Sequence, residues 1–395
     1  MTPTRLGFAM LGIVAASGGA LPHALAAADL IVSTNDAKYE RVAGSDKFLA
    51  DAGPDTLNLI DGRASPPKVI ATVEVAAAIA GPPQAVAITP DGKLAVVSAP
   101  SRFDREQGKP VFDDFLQLVD LEAQPPRVIA KVALPSHPQG LAINRAGNLL
   151  LATSIGGSVF AFRIDGKQLA PAGELAVSKG RLAGVTITPD GKSALVALRD
   201  EGGLVVLELD GGKPATRRER VATGIGPYAI DISSDGRWAV VGNVGLAGLP
   251  GNQGVLAGDA DSVTLVDVSK RPFRAVQHLS VPSLPEGVAI SPDGRWIAAL
   301  SMDGSNLKPD NPGRRERGRL VLFEIRDGQA QRVDELPAGQ GGQGVVFTAD
   351  SRTLLAQFNV DKQLAVFRIE GGRLKDDGER IAVPGGPVSI RSMPR

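Results

Sequence analysis

The sequence predicts an all-β protein, a seven-bladed β-propeller with four strands in each blade. Three observations predict it: a recurring hairpin unit, no helical periodicity between its copies, and part of one blade at each end of the chain. The clearest copy spans residues 285–300, with two short apolar runs around a Ser-Pro-Asp-Gly turn. Proline presets the first corner of such a turn, and glycine accepts the positive φ that follows. Each copy therefore predicts a β-hairpin.

Six copies of this hairpin align along the chain. They begin at Gln84, Gln139, Ala183, Tyr228, Glu286 and Gln343. Successive turns lie 44 to 58 residues apart, and the shorter intervals match the roughly 40–45 residues of a four-stranded propeller blade. Two more apolar runs follow each hairpin, as at residues 115–120 and 128–134. The longer intervals then correspond to blades with loop insertions.

The two chain ends complete a seventh blade. Residues 30–33, 55–61 and 66–73 supply a second, third and fourth strand with no first strand before them, and residues 386–390 form a first strand with nothing after it. A blade shared between the ends closes the ring and removes two free sheet edges. An open solenoid of the same repeats is the alternative.

The N-terminus has the pattern of an export signal. Arg5 precedes an apolar run over residues 6–14, and Ala24-Leu25-Ala26 forms a small-x-small cleavage site. We expect residues 1–26 to be a signal peptide, residues 27–395 to be one propeller domain, and the mature protein to be periplasmic, with secretion to the outside as the alternative. The apolar run is too short to span a membrane, and no later run reaches the roughly 18 residues required.

Composition excludes several classes of function. Basic and acidic residues both number 43, so no net charge attracts nucleic acid or an anionic membrane. The chain has no cysteine, which excludes disulfides, thiolate metal sites and a cysteine nucleophile. We expect a monomer whose core consists of aliphatic side chains, because aromatic residues make up only 4% of the chain.

Propeller topology predicts one face for a site. Four long loops between second and third strands gather there, at residues 33–55, 99–114, 244–261 and 302–318 of blades 1, 2, 5 and 6. Loops on a rigid scaffold are common binding regions, although they also tolerate insertions without function. The residues that begin the first strands converge on the channel mouth and are candidate ligand contacts: Gln84, Gln139, Tyr228, Glu286 and Gln343. Alternatively, these side chains satisfy one another and ordered water.

Catalysis would require acid–base groups at the same mouth. His137 is a candidate base, Glu286 a candidate acid, and Arg315 of the blade-6 loop a candidate electrostatic partner. A structural role for His137 is the alternative, and we expect His278 on the surface. No cofactor is expected. Calcium would require the loop carboxylates, whose spacing does not fit an EF-hand: Asp259, Asp261, Asp303 and Asp310.

The repeated pattern Ala-Ile-x-Pro-Asp-Gly-Lys/Arg resembles the YVTN-type β-propeller repeat family, which overlaps with lactonase-like seven-bladed propellers. The copy at residues 290–298 also resembles a WD40-like repeat. The resemblance covers nearly the whole mature chain and implies the propeller fold. Lactonase-like propellers tend to carry Pro-Arg-His where the first strands begin, whereas this chain has Pro-Gln, Pro-Tyr or Pro-Glu there.

Two functions remain open at this point. The first is a binding protein or scaffold that holds a protein partner or a small polar ligand on the long-loop face. The second is a lactonase-like hydrolase or isomerase that acts in the channel. A lactone panel distinguishes them, since only the second predicts turnover.

Overall fold

The computed structural model describes residues 29–49, 51–249 and 261–395. These residues form seven four-stranded antiparallel sheets arranged as the blades of a ring, and the predicted seven-bladed β-propeller is confirmed. The expected signal peptide, residues 1–26, lies outside the described residues. Within the described part of the chain, no helix is long and apolar enough to cross a membrane.

The two inner strands of each blade are almost wholly buried, because they line the channel and pack against the neighbouring blades. The first strands, in blade order, are Gly386–Ser392, Val86–Ile88, Pro138–Ile143, Leu182–Ile187, Pro227–Ile232, Pro285–Ile290 and Gly342–Phe347. The second strands are Leu30–Asp36, Leu94–Val97, Leu149–Ser154, Ser193–Leu198, Trp238–Asn243, Trp296–Ser301 and Thr353–Phe358.

The two outer strands carry progressively more exposed side chains. The third strands are Thr56–Asp61, Phe115–Asp120, Ser158–Asp165, Leu204–Asp210, Ser262–Asp267, Arg319–Arg326 and Gln363–Glu370. The fourth strands are Lys68–Glu74, Arg127–Ala133, Gln168–Ala176, Lys213–Val221, Arg274–Ser280, Gln329–Pro337 and Arg373–Ala382. The core therefore consists mainly of aliphatic layers between adjacent blades, as expected, but its largest fully buried side chains are aromatic, namely Phe323, Phe358 and Phe367.

Blade 1 is built from both ends of the chain, as predicted. Gly386–Ser392 pairs antiparallel with Leu30–Asp36, and Ile31 lies opposite Ser392. Gln357 of blade 7 reinforces the closure from the side: its Nε2 donates to Ser33 Oγ at 2.9 Å and to the Ser389 carbonyl at 2.8 Å. The described ends of the ring are thus held by a ladder of backbone hydrogen bonds and a fully buried amide.

The turns between first and second strands are more specific than the sequence suggests. In the blade-6 turn, Ser291 Oγ donates to Asp293 Oδ1 at 2.5 Å, and the Trp296 amide donates to Ser291 Oγ at 2.9 Å. Gly294 has φ of 71°, which confirms the left-handed position expected of it. A serine or threonine two residues before the aspartate plays the same part in blades 2, 4, 5 and 7. These turns all lie on the lower face of the ring.

Two of the long loops form hairpins of their own on the opposite, upper face. We call the pair Tyr39–Val42 and Ser45–Phe48 the blade-1 hairpin, and the pair Ser101–Asp104 and Lys109–Phe112 the blade-2 hairpin. The blade-5 loop contains a short 3-10 turn, Leu246–Gly248. These additions shape the surface around the channel mouth.

Candidate functional site

A cleft of about 690 Å³ opens at the upper mouth of the channel. Its walls come from the blade-1 hairpin, the loops of blades 4 to 7, and the starts of the first strands of blades 6 and 7. The long-loop face predicted from the sequence therefore contains a concave site. We refer to this cavity as the upper cleft.

The blade-1 hairpin extends from its own blade to the loop of blade 6. Its turn residue Gly44 has φ of 72°, and a Cβ there would lie 2.3 Å from the Lys308 backbone nitrogen. Glu40 forms an ion pair with Lys362 of blade 7. Only a glycine fits this close approach in a left-handed conformation, so the sequence at the hairpin tip sets the edge of the cleft.

The base of this hairpin is tied firmly to the propeller. Lys38 Nζ contacts Asp55 Oδ2 at 2.6 Å and Asp36 Oδ1 at 3.1 Å, and burial raises the pKa of Asp36 to about 6. Phe48 stacks on Phe103 of the blade-2 hairpin, with ring centroids 4.0 Å apart. These contacts fix the end of the hairpin nearest blades 1 and 2.

Glu286 is the acidic group of the upper cleft with the most perturbed ionisation. It lies in the first strand of blade 6, half-buried, and lines the cleft. Burial raises the pKa of the Glu286 carboxyl to about 7, and the nearby Arg199 and Arg41 guanidinium groups oppose that rise. A carboxyl group with a pKa near neutrality can both accept and return a proton at physiological pH.

Arg199 presents a cation to the same cleft from the short loop of blade 4. Its guanidinium carbon lies 3.8 Å from the centroid of the Tyr228 ring, and its Nη2 donates to the Gly248 carbonyl at 3.0 Å. The Nε atom is buried and has no hydrogen-bond partner within the described residues. Burial raises the pKa of Tyr228 to about 12, so this phenol stays neutral and can donate a hydrogen bond.

Two amide side chains complete the polar lining. Gln343 is 3% exposed and Asn306 is 7% exposed, and both line the upper cleft. Gln343 Oε1 and Asn306 Oδ1 have no hydrogen-bond partner in the described part of the chain. Buried acceptors are rarely left unpaired, so these two oxygens are suited to hydroxyl or N–H donors of a ligand.

Of the five predicted mouth residues, Glu286 and Gln343 line the upper cleft, and Tyr228 lies beside it, against Arg199. Gln84 is instead engaged across the channel, where its Nε2 donates to the Ile230 carbonyl at 2.6 Å and its Oε1 accepts from the Ile230 amide at 3.1 Å. Gln139 is half-buried and does not line the upper cleft. Both of these glutamines remain predictions as ligand contacts.

The candidate catalytic histidine lies apart from Glu286. His137 is 3% exposed and its Nδ1 donates to the Asp113 carbonyl at 2.8 Å, beside the Phe112 ring of the blade-2 hairpin. Burial lowers its pKa. Neither His137 nor the exposed Arg315 lines the upper cleft, so the geometry does not join the three predicted catalytic residues.

The loop carboxylates considered for calcium are separated. Asp261 Oδ2 accepts a hydrogen bond from the Leu284 amide at 2.7 Å. Asp303 Oδ2 lies 3.4 Å from Arg319 Nε. Asp310 is exposed at the edge of the cleft. Asp259 lies outside the described residues. Among the residues that are described, no three metal-ligating side chains come together.

The lower end of the channel is nearly filled. A cavity of about 110 Å³ remains there, lined in part by the C-terminal residues. Arg391 Nη1 lies 3.6 Å from Asp231 Oδ1, and Arg145 donates to the Arg395 carbonyl. The upper mouth is therefore the roomier approach to the channel.

Comparison with known proteins shows the fold and no family. No protein-family model matches the chain, and no curated protein matches it in sequence. Among solved structures, the periplasmic gluconolactonase PpgL of Pseudomonas aeruginosa is 18% identical with a TM-score of 0.65, covering 93% of this chain and 99% of that one. A candidate 6-phosphogluconolactonase of Bacteroides uniformis is 16% identical with a TM-score of 0.67, covering 93% and 99%. A protein of unknown function from Desulfotomaculum acetoxidans is 14% identical with a TM-score of 0.65, covering 92% and 99%.

Sequence reasoning missed most polar residues of the cleft, among them Arg41, Arg199 and Asn306. Arg41 and Asn306 belong to long loops of the predicted face, but nothing in their sequence context singles them out. Arg199 follows a second strand in a blade whose loop is short, and a short loop predicts an open face at that blade. A positional signal could have found it: Arg199, Met302 and Asn359 each directly follow a second strand, and all three line the cleft.

Proposed function

We propose that this protein hydrolyses a small polyhydroxylated lactone in the upper cleft, with Glu286 as general base. The observation that carries the proposal is the Glu286 carboxyl, whose pKa near 7 in a polar cleft suits it to proton transfer. The structural neighbours described as gluconolactonase and 6-phosphogluconolactonase support the same chemistry.

The reaction needs one proton carrier and one group that stabilises negative charge. The Glu286 carboxylate takes a proton from a water molecule, and the water oxygen attacks the lactone carbonyl carbon. Negative charge then develops on the carbonyl oxygen, where the unpaired Arg199 Nε–H is a suitable donor. The ring C–O bond breaks, and the departing alkoxide takes the proton back from Glu286. The product is an open-chain hydroxy acid.

The unpaired acceptors define the substrate class. Gln343 Oε1 and Asn306 Oδ1 each lack a hydrogen-bond donor within the described residues. A lactone with several hydroxyl groups supplies such donors. An alkyl lactone would leave both oxygens desolvated and unpaired, which is unfavourable by about 1–3 kcal/mol for each group.

A lactone panel tests the proposal. D-Glucono-1,5-lactone, D-galactono-1,4-lactone and the unsubstituted δ-valerolactone are titrated by pH-stat, with the spontaneous rate subtracted. We expect turnover of at least one sugar lactone, little of δ-valerolactone, and loss of turnover in Glu286→Gln. A wild-type protein that turns over none of the three contradicts the proposal.

Ligand binding without turnover is the second candidate. The two unpaired amide oxygens favour it equally, since they recognise hydroxyl groups whether or not chemistry follows. In that case the double variant His137→Ala with Glu286→Gln still binds its ligand. A protein partner on the long-loop face and a monomeric state also remain predictions.

We propose that the protein acts in the periplasm. The predicted signal peptide at residues 1–26 and the similarity to a periplasmic gluconolactonase support this location. Fractionation of the native cells with N-terminal sequencing tests it: a mature N-terminus at Ala27 in the periplasmic fraction is expected. Full-length protein in the cytoplasm contradicts the proposed export.

A further inference from the structure

Arg41 is a preoriented cation on the blade-1 hairpin. It lies opposite Asp46 in the hairpin register, with 3.0 Å between Arg41 Nη2 and Asp46 Oδ1, and the Tyr39 hydroxyl donates to the same oxygen at 2.7 Å. The guanidinium group has five N–H donors, and its contacts with Asp46 use only Nε and Nη2. Because Arg41 lines the upper cleft, its remaining donors are available to a ligand there.

The tip of the blade-1 hairpin, which carries Arg41, makes few stabilising contacts with the neighbouring blades. Gly44 approaches the blade-6 loop through backbone contact, and Glu40 meets Lys362 in an ion pair that is partly exposed. Val42 is 52% exposed, so no apolar anchor holds the tip. Exposed ion pairs contribute little to stability, and the tip can therefore lift without unfolding a blade, while the base stays tied through Lys38.

The charges of the proposed reaction give a physical reason for cations in the upper cleft. Hydrolysis of a neutral lactone leaves a carboxylate in a cleft that already contains Glu286. Two carboxylates repel unless cations lie nearby, and Arg41 and Arg199 are the groups whose charge acts on Glu286. The charged or titratable side chains that line the cleft besides Glu286 are Tyr39, Arg41, Asp46, Arg199, Lys308 and Asp310.

We propose that the blade-1 hairpin is a lid and that Arg41 binds the carboxylate of a polyhydroxylated acid when the lid closes. The inference rests on the proposed function, since that acid is the product of the proposed hydrolysis. Arg41 is then a specificity-determining residue. It recognises the carboxylate through directed, charge-assisted N–H donors, a geometry that lysine does not reproduce.

Isothermal titration with D-gluconate and D-sorbitol tests this inference without turnover. The two six-carbon polyols differ at one end, where gluconate has a carboxylate and sorbitol a CH₂OH group. We expect the wild-type protein to bind gluconate about tenfold or more tightly than sorbitol, which corresponds to one charge-assisted interaction. Arg41→Gln should lose that preference while its sorbitol affinity stays within about twofold, and Arg41→Lys should retain part of it.

Arg102→Gln is the matched control. Arg102 lies in the blade-2 hairpin and also pairs with a carboxylate, Asp113, but it does not line the upper cleft. This variant should bind gluconate like the wild type. The inference is overturned if the wild type fails to prefer gluconate over sorbitol, or if Arg41→Gln keeps the preference. Loss of lactone turnover with an intact Arg41-dependent preference would instead contradict only the proposed function.

Discussion

Arg199 and Tyr228 form a cation–π pair that joins blade 4 to blade 5, with 3.8 Å between the guanidinium carbon and the ring centroid. The arginine is held by an aromatic face and by the Gly248 carbonyl. Its charge therefore remains available to the upper cleft and acts directly on Glu286. This pair connects the scaffold to the proposed chemistry.

Replacing Arg199 should shift the pH dependence of hydrolysis. Arg199 lowers the pKa of Glu286 against the larger effect of burial, so Arg199→Gln should raise that pKa above 7. Glu286 acts as a base only when ionised, and the acidic limb of the kcat/KM profile should therefore move to higher pH. Arg220→Gln, at an exposed ion pair with Glu201, is the control whose profile should not move. An unshifted limb in Arg199→Gln would exclude this coupling.

Glu286→Gln should separate activity from stability. Loss of a general base lowers kcat by about 10²–10⁴-fold. The folded-state pKa of about 7 exceeds the ordinary value of 4.5, so ionisation of Glu286 destabilises the folded state progressively as pH rises from about 4.5 to 7. The amide removes this penalty, which is at most about 3 kcal/mol.

Denaturant unfolding at pH 5 and pH 8 measures that effect. The variant should be at least as stable as the wild type at pH 8, and the difference between the two proteins should shrink toward pH 5. Glu316→Gln, an exposed glutamate of the blade-6 loop, should change neither activity nor stability. A variant that is inactive and markedly destabilised at pH 8 would indicate a structural role for Glu286.

Gly44→Ala should disturb the lid more than an equivalent change elsewhere. A Cβ at residue 44 would lie 2.3 Å from the Lys308 nitrogen, whereas Gly108 has a similar positive φ and a Cβ there would meet nothing within 4 Å. Both substitutions incur about 1 kcal/mol of backbone strain, and Gly44→Ala should destabilise the protein further because its Cβ would overlap backbone atoms of the blade-6 loop. Only Gly44→Ala should raise KM for the sugar lactone, because only it displaces the lid. Equal KM values in the two variants would contradict the lid.

Gln357→Ala should weaken ring closure. The Gln357 amide is fully buried, donates to Ser33 and Ser389, and accepts from the Gly344 amide at 3.1 Å. Its removal leaves several polar groups unpaired and should lower the free energy of unfolding by about 3 kcal/mol. Gln168→Ala, at an exposed position of an outer strand, should cost less than about 0.5 kcal/mol. Similar losses for both variants would argue against this role of Gln357.

Much of the fold can be predicted from the sequence because hairpin turns require particular residue types at particular positions. The six aligned hairpins predict six of the blades, and the leftover strand at residues 386–390 predicts the composite blade in which it pairs with Leu30–Asp36. The paired role of Ser291 and Asp293 in the turn was not predicted, since a short side-chain contact of this kind has no signature beyond residue type.

The site is less predictable because it is assembled from loops of different blades. Tyr228, Glu286 and Gln343 follow from their positions at the starts of first strands. Gln84 occupies the same position, yet its amide hydrogen-bonds to Ile230, and only the three-dimensional distance across the channel decides this. Arg41 reaches the cleft through a hairpin whose course across the face depends on tertiary contacts.

The composite blade also determines when the ring can close during synthesis of the chain. The segment Leu30–Asp36 is made early, but its inner neighbour Gly386–Ser392 is made more than three hundred residues later. During synthesis the inner edge of Leu30–Asp36 therefore has no strand to pair with until the end of the chain is made. Blade 1 contains the first strand to be synthesised and is the last blade to be completed. Once Gly386–Ser392 pairs with Leu30–Asp36, the ring is closed, so completion of the propeller depends on the segment that is synthesised last among its strands.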